Sequence, residues 1–339
     1  MSHADQKSAV IVGAGIAGLM AARRLSRAGW RVTVIDKGRG LGGRMANRRM
    51  GEACLDHGAQ FFTIRDPRFS GYVSKWVTNG QATVWYEREA SAPDSPPERH
   101  YVGLPAMTAI GKQLAEGLNP VLGRRVTGLA FNGERWTVAD DVGSTCEGRW
   151  VVLTAPVPQS LDLIDRNRVE LPASDRTQLN RIDYEKCIAV MVALSGPSGL
   201  PAPGLLRLDK AEPLALIADN QRKGVSPVPA VTLHSGPRFA ESHFDAPDHE
   251  QIAVLLKTAE PFLRSPAAQT QAHRWGFAKP VQVHPEDHYN CPEIRLALAG
   301  DGFGGGRVEG AALSGLAAAD SILAHEETLP QSIHEPRSI

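Results

Sequence analysis

Cysteine is scarce: the chain of 339 residues has four, Cys54, Cys146, Cys187 and Cys291, with no CxxC pair and no histidine partner at zinc spacing. A disulfide scaffold and a structural metal are thereby excluded, and no metal is expected. Charge of one sign is missing too. The 37 Lys+Arg balance 37 Asp+Glu, for a formal net charge of zero, so no global field draws the chain to nucleic acid or acidic lipid. Long apolar runs are absent: the longest weakly polar stretch, Ser8 to Ala22, is too short to span a bilayer and is broken by glycines. Met1 to Lys7 is polar, without the charged and apolar regions of a signal peptide. No internal repeat is found. These absences predict a soluble, cytoplasmic protein with neither nucleic-acid nor membrane partners.

Glycine is what the chain has in excess, 33 in 339 residues, gathered near both ends. With 42% hydrophobic and 22% charged residues the composition is otherwise globular, and the length suits about two domains. Ala9 to Val12 is a short apolar run of the kind that forms a buried parallel strand. Gly13, Gly15 and Gly18 follow at GxGxxG spacing. Leu19, Ala22 and Leu25 then recur at helical period with Arg23, Arg24 and Arg27 on the other face, and Gly29 stands where a C-cap belongs. Arg31 to Ile35 alternates as a second strand ending at Asp36, eighteen residues past Gly18. In this βαβ unit Gly13 permits a tight turn, Gly15 lets the backbone approach a pyrophosphate, and Gly18 lets the helix pack on the strands. The helix start, Ile16 and Ala17, offers free N–H groups to phosphates, and Asp36 can accept from ribose hydroxyls. The fingerprint predicts a dinucleotide; NAD(P) and FAD both remain open.

A second glycine loop, Gly38 to Gly43, runs into Arg44-Met45 and then Asp56-His57-Gly58-Ala59-Gln60-Phe61-Phe62. At the far end, Ile294 to Ala299 is strand-like and leads through Gly300-Asp301 and Gly304 to Gly306 into Arg307-Val308 and a small-residue helix from Ala311 to Leu323. With these features the sequence resembles the flavin-containing amine oxidase superfamily. The resemblance implies non-covalent FAD, since no cysteine lies near Gly300-Asp301 at attachment spacing. It implies that Lys37, Gly42, Gly43, Arg44 and Met45 lie along the pyrophosphate and ribityl chain, and that Gly58, Ala59, Gln60 and Phe61 approach the isoalloxazine. Val126 would give adenine a backbone contact and Asp301 would hold the ribityl chain. The helix start around Arg307, Val308, Gly310 and Ala311 would face the pyrimidine edge, where a positive helix end favours the reduced, anionic flavin.

Further islands, Asp66 to Phe69, Ala218-Asp219-Asn220, Leu233-His234 and His273-Arg274-Trp275, are similar to the renalase-like branch of that superfamily. This implies an oxidase that takes hydride from 2- or 6-dihydro-NAD(P) and passes electrons to dioxygen, giving hydrogen peroxide. A dihydronicotinamide gains aromaticity on losing hydride, so it needs alignment at roughly 3 to 3.5 Å more than it needs a base. Gln60 and Trp275 are the expected positioning residues. Lys186 falls where amine oxidases hold a water near the flavin, and either faces the flavin or is solvated; His57 and His234 read first as structural histidines, and Arg274 pairs with a substrate phosphate or lies on the surface. An oxidase of a small amine and a non-catalytic FAD protein are the rival readings. The expected fold is α/β: a discontinuous Rossmann-like FAD/NAD(P)-binding domain from residues 1–70, 103–160 and 270–327, and an inserted α+β substrate domain on a mixed sheet from 71–102 and 161–269. A tail, 328–339, completes the chain. Ala90 to Arg99 reads as a Pro-rich loop, Val102 to Leu118 as a helix, and Val126 to Phe131, Arg135 to Val138 and Trp150 to Leu153 as strands.

Overall fold

The apolar run after Lys7 forms the strand Ser8–Val12, which pairs in parallel with Arg31–Asp36 on one side and Trp150–Leu153 on the other. The computed structural model describes residues 7–87, 97–209 and 212–328. The polar start Met1 to Lys7 except its last residue, most of Ala90 to Arg99, and the tail past 328 lie outside those residues. The sheet has six strands, in the order Tyr289–Cys291, Leu296–Leu298, Trp150–Leu153, Ser8–Val12, Arg31–Asp36 and Val121–Leu122. All pairings are parallel except at the Tyr289–Cys291 edge. Strands from the start, middle and end of the sequence thus share one sheet.

Small residues bring the termini together. The helix Val308–Thr328 packs on the first helix, Ile16–Arg27, and a Cβ at Gly315 would stand 2.1 Å from the Ala17 carbonyl oxygen. Leu19, Met20, Leu25, Trp150 and Ile322 fill the core between them. Phe69, Val73 and Trp76 of the helix Pro67–Thr78 lie in this same core, although residues after 70 were expected in the inserted domain. No helix among the described residues is long and apolar enough to cross a membrane.

The second sheet runs Leu205–Arg207, Leu214–Asp219, Ala230–Ser235, Asp183–Leu194 and Ala267–Gln282. Every pairing in it is antiparallel, so the mixed pairing expected there is found in the six-stranded sheet instead. Its long edge strand includes residues 270–282, expected with the dinucleotide domain, because they pair along Asp183–Leu194. The helices Pro237–His243 and Asp248–Ala259 cover one face over Ile188, Val190 and Leu233. The opposite, inner face turns Met191 and Ala230 against Met50 and Leu55 of the hairpin Asn47–Met50 and Ala53–Asp56.

Two local expectations shift. The helix expected from Val102 is Thr108–Ala115, preceded by the strand His100–Gly103, because Gly103 and Pro105 interrupt helical backbone. A strand Thr145–Gly148 pairs with Trp136–Asp140 and Val126–Phe131 in a separate three-stranded sheet, while Trp150–Leu153 joins the main one.

Candidate functional site

The two glycine loops lie side by side. Gly13 has φ +116°, and its absent Cβ would stand 2.4 Å from Thr154 Oγ1; at Gly18 a Cβ would stand 2.0 Å from the Gly13 carbonyl oxygen. Gly42 N–H donates to the Ala14 carbonyl at 2.9 Å, and a Cβ on Gly43 would come within 3.3 Å of Gly15 Cα. Gly15 itself faces open space: no heavy atom lies within 4 Å of its absent Cβ, and it caps the first helix with no side-chain bond and no acid in the first turn. That leaves a helix N-terminus whose N–H groups suit an anion. Asp36 borders it, its carboxylate accepting from Ala14 N–H and Gly38 N–H, both at 2.5 Å. Lys37 donates to Gln159 at 3.0 Å, and burial holds its ammonium below the usual range. Val126 opens the strand Val126–Phe131 opposite Asp140.

Farther along, Arg44 forks onto Asp301, with Nη1 to Oδ2 at 2.7 Å and Nη2 to Oδ1 at 2.5 Å. Such bidentate pairs are directional as well as strong. Arg44 also donates to the Phe277 carbonyl at 3.1 Å. That carbonyl is available because the register jumps there: Cys187 faces Trp275, yet Glu185 faces Lys279, leaving a bulge. Beyond it an open cavity of about 370 Å³ lies at the start of the C-terminal helix, lined by Lys279, Gly304, Gly305, Gly306, Arg307, Glu309, Gly310 and Leu313. Val308 begins that helix and Ala311 is buried in its first turns, while Glu309 accepts from the N–H groups of Arg65 and Asp66 at 2.7 and 2.8 Å. Met45 is sunk in the core.

Between these parts and the inner sheet face hangs the turn from Asp56 to Gln60. A Cβ on Gly58 would stand 1.9 Å from the Arg44 carbonyl oxygen, which also accepts from Ala59 N–H at 2.8 Å. The His57 carbonyl accepts from Trp275 Nε1 at 2.9 Å and lies 3.2 Å from His234 Nε2. Thr232 Oγ1 donates to the Asp56 carbonyl at 2.8 Å, and Asn220 Oδ1 accepts from Asp56 N–H at 3.2 Å. The Asp56 carboxylate is fully buried with the Lys223 ammonium 2.9 Å away, and Met107 N–H donates to it at 3.1 Å. Burial pushes the Asp56 carboxyl up and the Lys223 ammonium down, while their mutual attraction opposes both shifts. Lys223 also donates to Gln60 Oε1 at 2.9 Å, and Gln60 Nε2 donates to the carbonyls of Asp56 at 2.7 Å and Gly58 at 3.1 Å. Gln60 therefore has no free amide hydrogen for a substrate; it shapes the turn.

Directly opposed residues of an antiparallel pair share a face, so Cys187 with Trp275, and Ala189 with His234 and His273, line the inner side. The His57 ring stacks on Trp275 with centroids 5.3 Å apart and meets His273 edge-on at 4.8 Å. Burial lowers the His57 pKa to about 3 and the His234 pKa to about 4, so both are neutral at pH 7. Phe61 turns its ring toward Trp85, Tyr86 and His100 and offers the site only backbone.

Lys186 stands apart from this group. It points to the helix-covered face, with Nζ 2.9 Å from Glu241 and over the Phe244 ring. Alternation explains it: Lys186 has the parity of Ile188, one residue off the inner row. The flavin-facing alternative for Lys186 is thus corrected. Arg274 is likewise directed outward, paired with Asp248. Lys223 and Thr232 carried no warning pattern; the Asp219-Asn220 island beside Lys223 was the available signal.

A model of the NAD(P)-binding Rossmann-like domain matches residues 11–77, and the family model for flavin containing amine oxidoreductase matches residues 96–323, well over half of the chain. The chain belongs to the flavin containing amine oxidoreductase family. Among curated relatives of this amine oxidoreductase, Renalase of Mus musculus is 23% identical over 317 residues, 87% of this chain and 92% of that protein. In fold it is similar to a structure provisionally described as a protoporphyrinogen oxidase from Exiguobacterium sp. 255-15, with a TM-score of 0.74 and 13% identity over 97% of this chain and 100% of that one. Putrescine Oxidase bound to putrescine superposes with a TM-score of 0.69 at 16% identity, over 94% of this chain and 99% of that one. This amine oxidoreductase is therefore a flavin-dependent oxidoreductase acting on a small molecule.

Proposed function

We propose that the chain is an oxidase with non-covalent FAD that takes hydride from a dihydronicotinamide-type substrate, 2- or 6-dihydro-NAD(P), and gives hydrogen peroxide. The likeness to Renalase along most of both chains supports the reading. The observation that carries it is the inner sheet face beside Gly58: a wall of His57, Trp275 and His273 in which, among the described residues, both nearby lysines are engaged elsewhere. Lys223 is buried in its ion pair and Lys186 lies on the other face. A neutral aromatic wall suits a flat nicotinamide, whose oxidation needs no base.

The cradle fits FAD. Open Gly15 and the uncapped helix start would take the pyrophosphate, Asp36 the adenosine ribose, and Arg44 with Asp301 would border the ribityl chain. The cavity at Gly304 to Gly310 leaves room at the start of the C-terminal helix. When bound, the flavin supplies the hydride acceptor, and the hydride with one proton from water reduces dioxygen to hydrogen peroxide. Trp275, backed by the stacked ring of buried His57, sets the plane of the substrate ring, and Lys223 and Gln60 fix the turn that carries Gly58.

Anaerobic stopped-flow absorbance of the purified yellow protein tests this. Bleaching by 6-dihydro-NAD and not by putrescine or benzylamine is expected, with peroxide released on admitting air. Bleaching by amines alone overturns the reading, and flavin that no donor reduces favours a binding protein.

A further inference from the structure

Beyond the aromatic wall lies a cation that nothing so far explains. Arg48 sits opposite Leu55 in the hairpin, on the side facing the inner sheet surface, and its Nη1 reaches Gln271 Oε1 at 3.3 Å. Among the described residues no carboxylate pairs with it. Arg274, in the sheet strand that carries Gln271, is directed to the opposite face and is paired with Asp248. Arg48 is close enough to His57 and His273 to disfavour a proton on either. A partly buried guanidinium, coordinated only by a neutral amide, is an incomplete electrostatic arrangement that an anion would complete.

Alternate residues of the strand Ala267–Gln282 give the distance. Trp275, His273 and Gln271 follow one another on the inner face, so from Trp275 to Gln271 is about 13 Å at the usual rise per residue. His57 lies between the two ends; it is 3% exposed, and its Nδ1 has no hydrogen-bond partner among the described residues. The track thus offers a flat wall, an unpartnered buried polar atom, and then an unpaired cation. A nicotinamide nucleotide presents a flat ring, a hydroxylated ribose and a phosphate in that order.

We infer that Arg48 recognises the phosphate next to the nicotinamide ribose, so that the enzyme selects phosphorylated dihydronicotinamides over the riboside. The inference rests on the dihydronicotinamide reading above. Arg is suited to the task because its planar fork meets two phosphate oxygens at once.

The test compares 6-dihydronicotinamide riboside, mononucleotide and dinucleotide as reductants of the wild-type holoenzyme, and of Arg48→Gln, Arg48→Lys and Arg274→Gln. Calorimetric binding of NAD+, nicotinamide mononucleotide, nicotinamide riboside and inorganic pyrophosphate to the oxidised holoenzyme runs in parallel, and retained flavin absorbance marks folded protein. The wild type is expected to bind the phosphorylated forms at least tenfold more tightly than the riboside. That ratio falls toward one in Arg48→Gln, is partly kept in Arg48→Lys, and is unchanged in Arg274→Gln. Equal affinity for mononucleotide and dinucleotide assigns recognition to one phosphate; a further gain for the dinucleotide extends it to the pyrophosphate. Equal binding of riboside and nucleotides by the wild type, or an unchanged ratio in Arg48→Gln, overturns the inference. If no dihydronicotinamide reduces the flavin, the reaction reading fails on its own. Pyrophosphate binding that is lost in Arg48→Gln then still supports an anion site, and its absence from the wild type sinks it.

Discussion

The two glycine loops and the Asp56-to-Gln60 turn are neighbours built on opposite plans. The loops are backbone surfaces, with an open position at Gly15 and a helix start left uncapped. The turn is closed: its peptide groups are engaged by Trp275, Thr232, Asn220 and Gln60, and a buried ion pair lies beneath it. Main-chain N–H groups serve any dinucleotide phosphate, whereas a rigid side-chain scaffold serves one placement of Gly58 against the Trp275 wall. On the proposed reading, binding rests on a general device and selectivity on a particular one.

Acid is the broadest way to break the closed region. The folded protein holds His57 and His234 neutral, with pKa values of about 3 and about 4. Their contribution is complete above the unfolded pKa of about 6.5 and is lost as pH falls toward the folded values, at about 1.4 kcal/mol per pH unit for each histidine. Urea unfolding between pH 7 and 4 checks the slope, and His234→Asn should remove about one proton of it. Next in size is Lys223→Met, which strands the Asp56 carboxylate in the interior and should cost about 3–5 kcal/mol in denaturant unfolding. Adding Asp56→Asn should recover at least half of that loss, since no charge is then left alone.

Within the cradle, two glycines sharpen the contrast. Gly18→Ala drives a methyl toward the Gly13 carbonyl and should cost about 1–3 kcal/mol by overpacking. Gly15→Ala meets no protein atom, so the apoprotein should melt within about 2 °C of wild type while flavin affinity, measured by fluorescence titration, drops by about tenfold, or 1.4 kcal/mol. The smallest effect belongs to Lys186→Met. It removes an exposed ion pair with Glu241, worth about 0–1 kcal/mol, and flavin reduction and reoxidation rates should stay within about twofold of wild type.

The same contrast decides what could be read from the chain. Backbone recognition leaves a record in local spacing, because only glycine tolerates the contacts at Gly13, Gly18 and Gly43. The first βαβ unit and the glycine-rich entry to the last helix were legible for that reason, as was the family resemblance they carry. Lys223 meets Asp56 across a large sequence gap, and no local period encodes such a meeting. Lys186 was ambiguous because the facing of a strand residue reverses with a shift of one position, and a bulge lies beside it. The edge near residue 270 was displaced because strand pairing, invisible in composition, carries the chain past it.

The seat of Gly315 on the Ala17 carbonyl has a consequence for how the protein is made. The first helix is synthesised long before Val308–Thr328, the helix that buries it. A nascent chain therefore cannot finish its coenzyme compartment until Val308–Thr328 has emerged; a chain cut before Val308 should be colourless.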